Sequence, residues 1–122
     1  MLPKDARLTS SSDFARTTKS GSRATTDHFV GYLYINPAVN QSDEKVSPKA
    51  GLVISKAVGN SVQRHRLARR VRHAIAPNLS TLPANSLLVI RALKQGESFN
   101  SDEITRLIKK VTERALKNKV TA

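Results

Sequence analysis

Arg64-His65-Arg66-Leu67-Ala68-Arg69-Arg70-Val71-Arg72 places five arginines in nine residues, and no carboxylate occurs anywhere between Glu44 and Glu97 to offset them. The same segment carries an apolar stripe, because Leu67, Val71, Ala74 and Ile75 recur at helical spacing. The pattern predicts a helix over Val62 to Ala76, stopped by Pro77, with one face for a core and the remaining girth cationic. Ordinary basic helices intersperse acids for i,i+4 pairing. Here none is close enough in sequence to pair, so the positive face repels itself and is predicted to lie against a polyanion. Nucleic acid is the leading partner on charge alone.

The rest of the composition narrows the class. A chain of 122 residues is one domain, 1–122, and 39% hydrophobic content supports a modest core. The formal net charge of +12 points to nucleic acid, though a membrane surface would also attract it. No apolar run approaches the roughly 20 residues of a spanning helix, and the basic helix lacks aromatic anchors. The absence of cysteine excludes disulfides and thiolate zinc sites. Met1-Leu2-Pro3-Lys4-Asp5 turns polar too soon for a signal peptide, so a cytoplasmic location is expected.

Along the chain, a short first helix is predicted over Ser12 to Ser20, with Ser11 or Ser12 as cap and Gly21 just past its end. His28 to Ile35 alternates as a strand, with Phe29, Leu33 and Ile35 on one side and Val30, Tyr32 and Tyr34 on the other. Asn36 to Pro48 is predicted as a loop. Ala50 to Lys56 reads as a second strand, apolar on both sides and therefore central. Gly59-Asn60-Ser61 supplies the turn and cap before the basic helix. Leu87 to Leu93 is a further apolar strand, introduced by Pro83-Ala84-Asn85. Asn100 with Glu103 resembles a capping box for a last helix reaching about Lys117, whose apolar face is Ile104, Leu107, Ile108, Val111, Ala115 and Leu116. This order predicts an α/β sandwich with helices on a small sheet.

Catalysis by protein side chains is not expected. The carboxylates lie mostly in loops and terminal helices, and the three histidines have no evident partner for general acid–base work. His65 and His73 sit among arginines, which disfavours a metal. The arginine face is either a solvated surface or an RNA or DNA contact, and the missing acids favour contact; guanidinium groups bridge phosphates and stack on bases. Phe14 on the first helix serves either as a core anchor or, with Tyr32 and Tyr34, as part of a groove that stacks unpaired bases.

From Gly51-Leu52-Val53-Ile54-Ser55-Lys56 through Val58-Gly59-Asn60 to Arg64-His65-Arg66 and Arg69-Arg70-Val71-Arg72, the chain resembles the bacterial ribonuclease P protein subunit. That family carries a strand ending in Ser-Lys, a Gly-Asn turn and an Arg-Asn-Arg helix with further basic residues. The likeness extends upstream through Arg7-Leu8, Asp13-Phe14, Lys19-Ser20-Gly21 and Phe29-Val30-Gly31-Tyr32, and in all spans about residues 5 to 115. It implies an α+β fold of the ribosomal protein S5 domain 2-like kind, with three helices on a mixed sheet of about four strands. A left-handed crossover would surround the basic helix.

The resemblance also implies a role. The protein is expected to belong to a ribonucleoprotein in which RNA, with bound Mg²⁺, removes the 5′ leader of precursor tRNA, while the protein itself holds no metal and no catalytic residue. Lys56, Asn60, Arg64, His65, Arg66, Arg69, Arg70 and Arg72 are expected to bind the catalytic RNA. Phe14, Thr18, Val30, Tyr32 and His65 are expected to contact the leader. A monomeric protein binding the RNA 1:1, with no membrane and no DNA partner, follows from the same likeness. Four positions depart from the family's pattern: His65 stands for its central Asn, Ala57 and Ala68 replace basic residues, and Thr18 replaces a second aromatic. RNA docking is expected to survive these changes, and leader affinity is where they should be felt. The rival readings are a structural ribosomal-type RNA-binding protein, a DNA-binding module and an independent nuclease. The DNA reading lacks an Asn or Gln placed to read adenine, and the nuclease reading lacks a catalytic cluster.

Overall fold

The computed structural model describes Leu8 and residues 11–35, 48–82, 86–93 and 101–121. Its main elements run α1 (Ser11–Ser20), β1 (Ser22–Thr25), β2 (Phe29–Ile35), β3 (Lys49–Ile54), α2 (Ser61–Ile75), β4 (Ser86–Ala92) and α3 (Ser101–Thr121). The four strands form one mixed sheet in the order β1-β2-β4-β3. Strands β1 and β2 pair antiparallel, as do β2 and β4, whereas β3 and β4 run parallel. Parallel neighbours cannot be joined by a tight turn. Helix α2 makes the crossover between them, so the cationic segment is held by the sheet at both of its ends. Three helices on a mixed four-stranded sheet is the α+β architecture expected.

Strand alternation assigns the helices to two faces. Leu88, Ile90 and Ala92 of β4 and Phe29 and Leu33 of β2 join one core with Leu67, Val71, Ala74 and Ile75 of α2 and with Ile104, Leu107, Ile108 and Val111 of α3. The predicted stripes of both helices are therefore the buried ones; only Leu116 of the expected α3 set is exposed. Val89, between Leu88 and Ile90, is also fully buried but points to the other face. There α1 and Leu8 cover the sheet, with Val30 buried beneath them. Because β4 is buried on both sides, it reads as a continuous apolar run.

Strand β3, expected to be central, lies at the edge of the sheet. Its two apolar sides need helices rather than a second strand neighbour: Leu52 and Ile54 pack on the α2–α3 core, and Gly51 receives Phe14 and Leu8 on the α1 side. The amide of Leu8 also donates to the Ala50 carbonyl at 2.9 Å, closing part of that edge. Strand β1 has no counterpart among the predicted elements, since Ser22-Arg23-Ala24-Thr25 buries only Ala24 and gives no alternation to read. Its outer edge is closed by α3, where Arg114 Nη1 donates to the Arg23 carbonyl at 2.7 Å and Lys110 Nζ to the Thr25 carbonyl at 3.2 Å. One helical turn on α3 thus matches two residues along β1.

The caps also follow local chemistry. Asn60 Oδ1 accepts from the Gln63 amide and Gln63 Oε1 accepts from the Asn60 amide, both at 2.9 Å, which makes a reciprocal capping box for α2. Helix α2 ends at Ile75 as Pro77 requires, and the chain continues as a 3₁₀ turn over Ala76–Thr81. The loop expected over Asn36 to Pro48 falls almost wholly outside the described residues, as do Pro83-Ala84-Asn85 and the expected cap Asn100. Glu103 reaches across to the turn between β1 and β2. Its Oε2 accepts from Thr26 Oγ1 at 2.7 Å and from the His28 amide at 2.8 Å, and its Oε1 meets His28 Nδ1 at 2.5 Å. One histidine therefore does have a carboxylate partner, 75 residues away in sequence, where spacing could not reveal it.

Candidate RNA interface

The α2 surface is built by its cap and its stripe. Gly59 sits at φ 155°, which side chains rarely tolerate, and turns the chain from the short 3₁₀ turn Lys56–Val58 into the Asn60 cap. With Leu67, Ala68, Val71, Ala74 and Ile75 buried, the opposite girth is fixed outward. Val62, His65, Arg66, Arg69 and His73 lie exposed along it, Arg70 is exposed on one flank, and Arg72 is partly covered on the other. Lys56 is exposed just before the cap. Asn60 is exposed too, but its side-chain oxygen is committed to Gln63, so it shapes the helix start. Arg64 turns inward from the basic face, and its Nε is buried with no hydrogen-bond partner.

A second surface lies on the other side of the sheet. Strand register aligns Arg23 of β1, Tyr32 of β2, Val89 of β4 and Gly51 of β3 in one row facing α1. Phe14 closes over the Gly51 end of this row, and Tyr32 is half-buried along it. Thr18 is exposed one turn after Phe14 and spends its hydroxyl on the Phe14 carbonyl at 3.0 Å. Val30 belongs to the same face but is only 5% exposed, so it is floor rather than contact surface.

The expected leader residues Phe14, Thr18, Val30 and Tyr32 are thus gathered by α1 and one sheet face. His65 is not among them. It lies beside Leu52 and Ile54, which project from the opposite face of β3. Two cations on the α1 face lie outside the expected contact set: Arg23, opposite Tyr32, and Arg91, opposite Val30. Arg91 has a legible signal, since it is the one charge in Ser86–Ala92 and falls in phase with Leu87 and Val89, off the main core.

Glu103 is set apart from both surfaces. Burial would raise its pKa, but the hydrogen bonds from His28 and Thr26, the His28 amide and the His28 charge together hold it below its ordinary value of 4.5. Among the described residues no three His, Asp or Glu side chains gather as metal ligands. Also among the described residues, no helix is long and apolar enough to cross a membrane.

Comparison with known proteins converges on one family. The ribonuclease P family model matches residues 2–116. The chain belongs to the ribonuclease P protein family. It is 38% identical over 114 residues to the ribonuclease P protein component of Mycolicibacterium paratuberculosis, covering 93% of this chain and 94% of that protein. Its identity to the Corynebacterium diphtheriae ribonuclease P protein component is 36% over 104 residues, covering 85% and 87% respectively. Among solved structures, a Staphylococcus aureus RNase P protein mutant with defective mRNA degradation activity superposes with a TM-score of 0.71 at 23% identity, covering 92% of this chain and 89% of that one. The RNase P protein from Thermotoga maritima gives 0.66 at 20% identity, covering 88% and 96%. These two share the fold. As a ribonuclease P protein the chain is a subunit of the ribonucleoprotein endoribonuclease that matures the 5′ end of tRNA, and the RNA is the catalyst.

Proposed function

We propose that the protein works through two surfaces on opposite faces of its sheet. The α2 surface docks on the catalytic RNA through Lys56, Arg64, His65, Arg66, Arg69, Arg70 and Arg72, with Asn60 fixing the start of the helix. The α1 face receives the single-stranded leader of precursor tRNA, with Phe14 and Tyr32 as stacking surfaces, Val30 beneath them and Thr18 at the rim. Phosphate contacts hold the RNA without reading its sequence, and stacking tolerates varied leaders. Arg23 and Arg91 add charge beside the stacking row, suited to the leader backbone. The separation of the cationic stripe from the aromatic row by the sheet is the observation that carries this reading.

Mg²⁺ belongs with the RNA in this scheme. The protein's contribution is to add cationic surface to a polyanionic assembly and to bind substrate outside the paired tRNA body. One protein monomer serves one RNA, in the cytoplasm. The test is precursor-tRNA cleavage by a bacterial ribonuclease P RNA at low Mg²⁺, with and without the protein. Strong stimulation requiring both components is expected. Binding without stimulation would instead indicate a structural RNA-binding role, and cleavage by the protein alone would overturn the assignment of chemistry to RNA.

A further inference from the structure

Two residues on one flank of α2 meet in a single groove. His65 and Ala68 are one turn apart on the flank of α2 that faces the edge strand β3, and together with Leu52, Ile54, Arg64 and Arg72 they line a groove of about 300 Å³. Its floor is apolar, made by Leu52, Ile54 and the methyl of Ala68. Its rim carries two arginines and an imidazole, and no carboxylate lines it among the described residues. Arg64 lines the same groove, although its Nε is itself buried.

We propose that this groove holds one unpaired nucleotide of the catalytic RNA, a deepening that rests on the docking role given to α2. The base would lie over Leu52 and Ile54 beside the flat ring of His65, and Arg64 and Arg72 would hold its phosphate. Ala68 matters because it is small. A long basic side chain at that position would project from the helix flank into the space the base needs. His65 and Ala68 thus act together, one supplying a stacking ring and the other an opening. The leader is a poorer occupant, because Leu52 and Ile54 face away from Phe14 and Tyr32.

The test compares wild type with Ala68→Gln, which fills the groove without changing charge, and with Ile54→Thr, which makes its floor polar and shortens the side chain by one carbon. Thermal melting establishes that each variant is folded, and either variant alone suffices. Affinity for a bacterial ribonuclease P RNA is measured across salt, and unpaired nucleotides of that RNA are mapped by 2′-hydroxyl acylation with and without protein. Wild type should protect a nucleotide that the variants leave reactive. The variants should lose about ten-fold in affinity, as expected for one stacked base, with an unchanged salt slope. Wild-type affinity and footprint in folded variants would overturn the inference. A loss confined to precursor over mature tRNA would also overturn it, by placing the leader in the groove. Failure of the docking role itself would look different: wild type would show no salt-dependent binding to that RNA at all.

Discussion

The ring of Phe14 rests on the backbone of Gly51 so closely that a methyl group at position 51 would overlap the far edge of the ring. The aromatic group can lie against β3 only because glycine leaves room. Phe14→Ala is expected to weaken binding of precursor tRNA by about ten-fold, the worth of one stacked base, while mature tRNA is little affected. Gly51→Ala should shift the same ratio in the same direction by displacing the ring. Equilibrium binding of both tRNAs to the reconstituted holoenzyme checks both; equal losses on the two substrates would make Phe14 a core anchor only.

Arg66 and Arg69 are exposed on the outward stripe of α2. Replacing both with Ala should lower affinity for the catalytic RNA and reduce the slope of log affinity against log salt, by about one unit for each phosphate no longer neutralised. A salt titration that leaves the slope unchanged would remove these residues from the interface.

Glu103 ties the first turn of α3 to the turn between β1 and β2. Its carboxyl pKa is held below the unfolded value of 4.5. The carboxylate therefore contributes stability that is fully present above that pH and is lost as pH falls through the lower, folded value. Denaturant melts should show stability declining in this acid range. Glu103→Gln should cost about 1–3 kcal/mol at neutral pH, because donors from His28 and Thr26 lose a charged acceptor, and it should flatten the acid-side decline. A decline of unchanged steepness in the variant would assign it to other groups.

Lys110 and Arg114 occupy the outward carbonyls of β1. Both side chains are exposed, so changing both to Ala should cost only about 1 kcal/mol in global stability. The larger effect should fall on the strand edge, with faster amide exchange in β1 and greater self-association at high concentration. Native-state exchange and light scattering read these two outcomes.

The α2 helix and its outward arginines are legible in sequence because two strong signals coincide there, a 3.6-residue apolar stripe and an acid-free charge run. The last helix is legible for the first reason alone. What sequence hides depends on packing between distant segments. Val53 and Leu52 read as the two sides of a central strand, but the second side is served by Phe14 and Leu8 folding back over Gly51. Ser22–Thr25 is a strand only because β2 pairs with it and α3 caps its free edge. His28 looks partnerless in sequence because its carboxylate arrives from the far end of the chain. The separation of His65 from Phe14 and Tyr32 follows from the parity of β3, one residue in either direction deciding the face.

Strand β4 alternates between two interiors, Leu88 and Ile90 beneath α2 and α3, Val89 beneath α1. A wall one strand thick thereby insulates the two proposed RNA faces from each other. Under the proposed division of roles, substitutions at Thr18 or Arg91 would retune which leaders are held without disturbing α2, and changes at His65 or Ala68 would follow drift in the catalytic RNA without altering substrate choice. A single small domain would then carry two nearly independent dials.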